Sequence, residues 1–346
     1  MKALRYHGTR DIRHEAMDDP ALQSDRDAIV KMRSCAICGS DLHIFHGHGF
    51  STDTGFCVGH EAVGEVVEVG RAVTRLKAGD KVMIPASVGC GACRSCLAGN
   101  VNCCESGQGS CYGISAALQG LQAEAFRIPA ADANAVKIPD GLSEEQALML
   151  TDGMATAWFG VRQADVRPGA SVAVIGLGPI GLMAVDSAFV MGAHQVYAID
   201  PVPERRALAA QAGAIALHPG EALETIREQT QGRKVDCVVE VVGLDATLDM
   251  AWRLVGRRGT VSAIGVHQTR RYTLPLERLF ANGVTFRTGT CSVSEELPAL
   301  FPLVASGRLR PERLISHRMP LSQGAQAYAL FDARAAGALK MVLTPD

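Results

Sequence analysis

A glycine-rich turn placed between an apolar run and a second apolar segment is the feature that most constrains how this 346-residue chain can fold. The run Ser171–Ile175 predicts a buried strand, and a G-x-G-x-x-G follows it and opens an apolar stretch that extends to about Met191. The first glycine of such a motif permits a tight turn, the second lets the backbone approach a pyrophosphate, and the third allows close helix–strand packing. We therefore expect a dinucleotide-binding βαβ unit whose turn contains Gly176, Gly178, Pro179, Ile180 and Gly181.

Short apolar runs and helix-like segments continue to alternate after this turn. A helix is predicted from about Glu204 to Ala212, and each neighbouring apolar run has the length of a buried strand. The alternation predicts an α/β fold in which parallel βαβ units form a doubly wound sheet. The further predicted strands are Gln195–Ile199, Ile215–Leu217, Val235–Glu240, Gly259–Ile264 and Val284–Arg287.

The first 150 residues have a different pattern, in which glycine and proline separate short apolar runs. This is typical of a barrel-like β domain. Ser143 and Gln146 have the spacing of a capping box for a helix through Leu150. The segment from Leu297 onward returns to mixed composition and is compatible with a return to this first domain. The predicted strands here are Ala28–Met32, Ala62–Val69 and Lys81–Ile84.

Asp200 lies at the end of the strand predicted at Gln195–Ile199, 24 residues after Gly176. A carboxylate at this place accepts hydrogen bonds from the adenosine ribose and repels a 2′-phosphate, so NAD is expected rather than NADP. Arg205 and Arg206 follow closely and would weaken this preference.

The chain contains eleven cysteines, and nine of them precede residue 112. The count is odd and Met1–Arg10 has no apolar leader segment, so a reducing cytoplasm is expected, where spaced cysteines serve as metal ligands or catalytic thiols. The net charge of −2 indicates neither a nucleic-acid partner nor an anionic membrane surface. The nearly uncharged stretch Ser171–Val185 is too short and too broken to span a bilayer.

A group of closely spaced cysteines predicts a closed metal site in a lobe at about residues 88–106. Four thiolates complete a tetrahedral zinc shell and leave no position for chemistry, so this zinc is expected to be structural. An iron–sulfur cluster fits the same number of ligands, and Cys103 is an alternative to its neighbour as the fourth ligand. A nucleic-acid zinc ribbon is disfavoured because Arg94 is the only basic residue of Val88–Glu105. The motif is C-x2-C-x2-C-x7-C, formed by Cys90, Cys93, Cys96 and Cys104.

A second constellation suits a catalytic zinc that keeps one position open. It lies in the segments Cys38–His43 and Gly59–Glu61 and combines one thiolate, one imidazole and nearby carboxylates. The segment Gly59-His60-Glu61-Ala-Val-Gly64, with Gly70 and Val73 behind it, resembles the zinc signature of the medium-chain alcohol dehydrogenases.

The resemblance to this family extends over nearly the whole chain, through the Cys38 segment, the cysteine lobe, the glycine turn and the closing Gly337-Ala-Leu-Lys340. It implies a GroES-like β-barrel catalytic domain at residues 1–152 and 296–346. This domain is interrupted by a Rossmann NAD-binding domain at residues 153–295. It also suggests a homotetramer, with a homodimer as the alternative.

The resemblance also implies roles for individual residues. Cys38 and His60 match the first two catalytic zinc ligands, and Asp152 lies where the branch with secondary-alcohol and formaldehyde dehydrogenases has an aspartate ligand. Glu61 matches an acid that can approach the metal, and Asp41 matches the acid that orients the histidine ligand. The remaining matches are Ser40 and His43 in the proton relay, and Gly265, Arg205 and Lys340 in the coenzyme site. Gly39 departs from relatives that carry a cation there for the pyrophosphate.

The expected function is hydride transfer between NAD and a primary or secondary alcohol, or the corresponding aldehyde or ketone, with two zinc ions per chain. The alternatives in the same family are polyol, threonine and formaldehyde dehydrogenases. An alternative outside the enzyme class is a zinc-bearing NAD-binding protein without turnover.

Overall fold

The computed structural model describes residues 1–106, 111–269 and 271–346. These residues form two compact units. The first consists of Met1–Ala155 with Cys291–Asp346, and the second of Thr156–Thr290. Sequence analysis placed the corresponding divisions after residues 152 and 295. Among the described helices, none combines the length and apolar character that crossing a bilayer requires.

The amino-terminal part of the first unit is mainly β structure with short helices. Its strands are β1 (Lys2–Gly8), β2 (Asp11–Ala16), β3 (Ala28–Ile37), β4 (Phe56–Cys57), β5 (Glu61–Val69), β6 (Lys81–Ile84), β7 (Ala125–Ile128) and β8 (Val136–Lys137). Its helices are α1 (Gly39–Phe45), α2 (Arg94–Leu97), α3 (Ala131–Asn134) and α4 (Glu144–Leu150), with a 3-10 turn at Val101–Cys103.

Helix α4 begins as the sequence predicted. The Ser143 hydroxyl accepts the N–H of Gln146 at 3.1 Å, and the Ser143 N–H donates to the Gln146 side chain at 3.0 Å. The capping box satisfies two N–H groups that the helix itself leaves without partners.

The second unit contains one parallel sheet with helices between its strands, and α5 (Gly153–Gln163) leads into it. Its strands are β9 (Ser171–Ile175), β10 (Gln195–Ile199), β11 (Ile215–Leu217), β12 (Val235–Glu240), β13 (Val255–Ala263) and β14 (Thr285–Thr288). Its helices are α6 (Pro179–Val190), α7 (Pro203–Gln211), α8 (Pro219–Gln229), α9 (Asp245–Leu254) and α10 (Leu276–Asn282). The strand order is β11-β10-β9-β12-β13-β14, which confirms the predicted doubly wound sheet.

The chain then returns to the first unit through α11 (Val293–Ala305), β15 (Ile315–Pro320), α12 (Gly324–Ala333) and β16 (Lys340–Thr344), with 3-10 turns at Pro311–Leu314, Leu321–Gln323 and Ala335–Gly337. The larger sheet of this unit has the order β15-β16-β3-β5-β6-β8, with β7 also pairing with β3, and a smaller sheet has the order β2-β1-β4. Each unit buries its own apolar core, around Met32 and Ile84 in the first unit and around Tyr197 and Trp252 in the second.

Candidate metal centres and coenzyme turn

The strand pairing of the first unit brings distant segments to one place. β3 ends at Ile37, immediately before Cys38, and its Ala36 pairs with Glu61, the first residue of β5. β16 pairs with the other edge of β3, with Met341 opposite Ile37. The ends of three neighbouring strands thus carry Cys38, His60 with Glu61, and Lys340. Asp152 follows α4.

Four side chains converge here into what we call the mixed cluster: Cys38, His60, Glu61 and Asp152. Each residue offers one possible ligand atom, and these four atoms all lie within 4.8 Å of one another. The Cys38 Sγ lies 3.2 Å from the Asp152 Oδ2, and the His60 Nε2 lies 3.4 Å from the same oxygen. The structure therefore brings together all the residues that sequence analysis assigned to the catalytic zinc.

Asp41 and Ser40 lie on opposite sides of the His60 ring. The Asp41 Oδ1 is 3.2 Å from the His60 Nδ1, while its Oδ2 accepts the N–H of Cys38 at 2.9 Å. The Ser40 Oγ lies 3.2 Å from the His60 Nε2. The ring therefore presents Nε2 to the cluster, because Nδ1 faces a buried carboxylate. A carboxylate in this position fixes the tautomer and orientation of a ligand histidine.

Glu61 is paired with Lys340, a contact that the sequence did not predict. The ammonium of Lys340 donates to the Glu61 Oε2, and both side chains are buried. Burial raises the pKa of Glu61, whereas the neighbouring Lys340 opposes this rise. Sequence analysis had placed Lys340 in the coenzyme site. In the structure, its hydrogen-bond partner is Glu61 of the mixed cluster. A lone lysine carries no local pattern that would reveal such a partner.

The mixed cluster has the chemistry of a zinc site. Thiolate, imidazole and carboxylate are the donors that zinc takes in catalytic centres. The Glu61 Oε1 is buried without a hydrogen-bond partner in the described residues. Burial raises the pKa of Cys38, and the charges of Asp152 and Glu61 raise it further. A dication at the cluster would reverse this effect, so the residues present fit a metal ion.

His43 lies one helical turn after Ser40 on α1 and is partly exposed. Burial lowers the pKa of His43, and the nearby His46 and His48 lower it further. Ser40 contacts the mixed cluster through His60, and the structure shows no direct hydrogen bond between Ser40 and His43 among the described residues.

The cysteine lobe forms the second candidate metal centre. Successive backbone N–H groups point at its thiols: Cys93 donates to the Cys90 Sγ at 3.3 Å, and Cys96 donates to the Cys93 Sγ at 3.4 Å. The sulfurs of Cys90, Cys93, Cys96 and Cys104 lie within 4.8 Å of one another, whereas Cys103 is exposed and is not in this group. Four converging sulfurs fit a closed tetrahedral zinc shell.

The glycine turn of the second unit has the conformation that its motif requires. Gly176 has a φ of +92°, and a Cβ on Gly181 would lie 1.8 Å from the Gly176 carbonyl oxygen. A Cβ on Gly178 would meet no heavy atom within 4 Å among the described residues, so internal packing does not require this glycine. The open space beside Gly178, at the N-terminus of α6, fits the approach of a pyrophosphate.

Asp200 is held beside this turn. Its Oδ2 accepts the N–H of Leu177 at 2.7 Å, and its Oδ1 accepts the N–H of Val202 at 2.8 Å. Arg205 lies 3.9 Å from the same carboxylate. A carboxylate oxygen accepts more than one hydrogen bond, so both oxygens retain acceptor capacity for ribose hydroxyls.

The neighbouring strand ends contain a buried acid that sequence analysis missed. The Glu240 Oε1 accepts the N–H groups of Val242 and Gly243 at 2.8 and 2.9 Å, and its Oε2 lies 3.2 Å from the His267 Nε2. A Cβ on the predicted coenzyme residue Gly265 would lie 2.2 Å from the Gly243 nitrogen. Close backbone packing at the end of β13 therefore explains Gly265.

Comparisons with known proteins agree with this arrangement. The model of the alcohol dehydrogenase GroES-like domain matches residues 24–140, and that of the zinc-binding dehydrogenase domain matches residues 179–306. A protein of Mycobacterium tuberculosis named as a probable zinc-binding alcohol dehydrogenase is 39% identical over 346 residues, which cover 100% of this chain and 89% of that protein.

Solved structures give the same result. Alcohol dehydrogenase TADH from Thermus sp. ATN1 is 39% identical with a TM-score of 0.94, and the match covers 100% of both chains. A structure from Sinorhizobium meliloti 1021, described as a zinc-binding dehydrogenase bound to NADP, is 29% identical with a TM-score of 0.85 and 99% coverage of both chains. The chain belongs to the zinc-dependent medium-chain alcohol dehydrogenase family, with a GroES-like domain and a Rossmann-type domain. This membership supports an oxidoreductase that acts on a small molecule.

Proposed function

We propose that this chain catalyses hydride transfer between NAD and a primary or secondary alcohol, or the corresponding aldehyde or ketone. The observation that carries the proposal is the mixed cluster, in which Cys38, His60 and Asp152 converge beside Glu61. Three protein donors are the number that leaves an open position in a four-coordinate zinc site.

In this proposal Cys38, His60 and Asp152 hold a catalytic zinc ion, and Glu61 is an additional donor within reach. Cys90, Cys93, Cys96 and Cys104 hold a structural zinc ion. When bound, the catalytic zinc supplies a Lewis acid for the substrate oxygen, and NAD supplies the hydride acceptor.

The remaining residues position groups and move a proton. Asp41 holds the His60 Nδ1 and so keeps Nε2 directed at the cluster. The Ser40 hydroxyl accepts the proton of the substrate alcohol as it donates its own proton onward, and His43 is the final acceptor of the relay before solvent. Because the pKa of His43 is lowered, its neutral form predominates at pH 7 and is able to accept a proton.

NAD is the proposed coenzyme because of the carboxylate of Asp200 beside the glycine turn. Gly176, Gly178, Pro179, Ile180 and Gly181 receive the pyrophosphate, and Asp200 receives the ribose hydroxyls. A buried carboxylate there repels a 2′-phosphate, and Arg205 is already close to that carboxylate. The NADP-bound relative shows why this preference requires a direct comparison of the two coenzymes.

The test is an alcohol panel assayed with NAD and NADP in parallel, with zinc measured on the same sample. We expect two zinc ions per chain and NADH formation with simple alcohols. A response confined to polyols, threonine or formaldehyde would move the substrate class to those alternatives. Two zinc ions without turnover of any substrate would overturn the proposal in favour of an NAD-binding protein without activity.

We also propose that the protein works in the cytoplasm as a homotetramer, with a homodimer as the alternative. None of the eleven cysteines, all of which lie in the described residues, forms a disulfide, which suits a reducing compartment. Sedimentation equilibrium measures the number of chains in the assembly.

A further inference from the structure

A small pocket of about 170 Å³ lies in the second unit, where three parallel strands begin. It is lined by Lys234 just before β12, by Gly256 and Arg257 near the start of β13, and by Val284 just before β14. Dinucleotides bind at the carboxyl ends of such strands, where the glycine turn lies. The six residues of β12 place the amino ends of the strands about 20 Å from their carboxyl ends. The pocket is therefore distinct from the coenzyme turn.

The side chains of this pocket carry one sign of charge. Its lining contains four cations and no Asp or Glu among the described residues. None of the four forms an ion pair with a carboxylate in the described part of the chain, although the whole chain has a net charge of −2. We call this the basic pocket, and its cations are Arg233, Lys234, Arg257 and Arg278.

Two of the guanidinium groups each contact one backbone carbonyl. Arg233 donates from Nε to the Thr230 carbonyl at 3.2 Å, and Arg278 donates to the Arg253 carbonyl at 3.5 Å. A guanidinium has five N–H donors, and the described residues provide no other hydrogen-bond partner for either of these two groups. Most of their donors therefore remain available to a ligand.

The grouping of these positive charges is electrostatically unfavourable in the protein without a ligand. Burial lowers the pKa of Lys234, and the positive charges of Arg278 and Arg227 lower it further. Lys234 has a φ of +68° and Gln231 a φ of +52°, a left-handed backbone that residues with side chains rarely adopt. Arg233 and Lys234 belong to this strained loop, and an anion between them and the other two cations of the pocket would offset the repulsion among the four charges.

We propose that the basic pocket binds a small multivalent oxyanion, either free phosphate or the phosphate group of a small metabolite. The planar fork of arginine matches the geometry of phosphate oxygens, and three arginines supply that fork here. The pocket is smaller than the roughly 300–1,000 Å³ of a site for a drug-sized ligand, so it admits a head group. A nucleic-acid backbone needs an extended basic stripe instead of one concave pocket.

The experiment is calorimetric titration of the whole protein with inorganic phosphate and with pyrophosphate at low ionic strength, with and without saturating NADH. Arg257→Gln and Arg278→Gln each remove one cation of the pocket. Arg308→Gln is the matched control, because Arg308 is an exposed arginine of the first unit without an ion pair among the described residues. We expect each pocket variant to weaken binding about tenfold, and the control and NADH to leave it unchanged.

Three results would overturn the proposal. The first is no heat of binding with either anion. The second is equal weakening by Arg308→Gln, which would indicate general electrostatic attraction. The third is binding that NADH abolishes and the pocket variants leave unchanged, which would assign the anion to the glycine turn. A protein that binds both anions only through the basic pocket, and pyrophosphate more tightly, supports a site for a phosphorylated metabolite.

Discussion

Replacing Lys340 by methionine is expected to destabilise the metal-free protein strongly and the zinc-loaded protein less. The side chains of Lys340 and Glu61 are 3% and 1% exposed, so the variant leaves a carboxylate buried without its cation. Breaking a buried ion pair by removing one partner typically costs about 3–5 kcal/mol. A zinc ion held by the mixed cluster would compensate part of the charge of Glu61, so we expect a smaller loss in the zinc-loaded protein.

The loss of stability in Lys340→Met should become smaller as the pH falls. Burial already raises the pKa of Glu61 in the presence of Lys340, and the loss of the cation raises it further. A carboxyl whose folded-state pKa is raised destabilises the fold once the pH exceeds its unfolded-state pKa, and the full destabilisation is reached above the folded-state pKa. The destabilisation disappears as the pH falls below the unfolded-state value of about 4.3. The difference between Lys340→Met and the wild type should therefore narrow as the pH is lowered from 7 to 5.

The assay is urea unfolding followed by circular dichroism, with a chelator and with added zinc. Glu61→Gln is the matched single variant, and the double variant Lys340→Met with Glu61→Gln completes the cycle. The double variant should recover most of the lost stability, because it leaves no unpaired charge. The reasoning fails if Lys340→Met unfolds at the wild-type urea concentration in chelator, or if the two single losses simply add.

Three further predictions concern the other sites. Cys38→Ser should lower turnover by more than about 100-fold while circular dichroism stays unchanged, because it removes a proposed ligand and not merely a supporting contact; normal turnover would exclude Cys38 as a zinc ligand. Cys93→Ser should lower the zinc content by one ion per chain and the melting temperature by several degrees, whereas the exposed control Cys103→Ser should change neither. Asp200→Gly should shift the ratio of kcat/KM for NAD over NADP by about tenfold or more toward NADP, and an unchanged ratio would refute the ribose role.

The second unit could be predicted closely because its central strands β9, β10 and β12 are largely buried and therefore appear as mainly apolar runs. β9, β10, β11 and β12 have the predicted bounds. β13 begins at Val255 and not at the predicted Gly259, because Val255 already pairs with Val235, while Gly256-Arg-Arg-Gly259 forms an irregularity before pairing resumes with Thr260 opposite Cys237. Arg258, with a φ of +59°, lies within this irregular stretch.

An irregularity in strand pairing also explains the bounds of strand β3 in the first unit. The apolar run ends at Met32, but the strand continues to Ile37. Its pairing with β5 is shifted by an irregularity between Met32 and Ser34, so that the polar residues Arg33 and Ser34 stay in the strand. Charged or polar pairs at such irregularities interrupt the sequence pattern without ending the strand.

The candidate metal residues were predictable to different degrees. Cys90, Cys93 and Cys96 are spaced by three residues, so their convergence requires only one short loop. Asp152 lies 92 residues after His60, and only the family resemblance indicated it. Its position is set by α4 and by the hydrogen bond from the Ala86 N–H to the Thr151 carbonyl at 2.9 Å. Contacts of this kind depend on the tertiary fold and leave no local spacing to detect.

Lys340 shows why the charge of a metal centre has to be counted in the folded structure. It lies 279 residues after Glu61 and reaches it only because β16 pairs with β3. In a zinc-loaded site the thiolate of Cys38 and the carboxylates of Asp152 and Glu61 would together carry three negative charges, of which the zinc ion would neutralise two. Lys340 neutralises the third. The ammonium would therefore compete with a bound metal for the carboxylate of Glu61, whose Oε2 it holds. Loss of the ammonium should accordingly favour Glu61 as a ligand, which would close the position that the substrate needs.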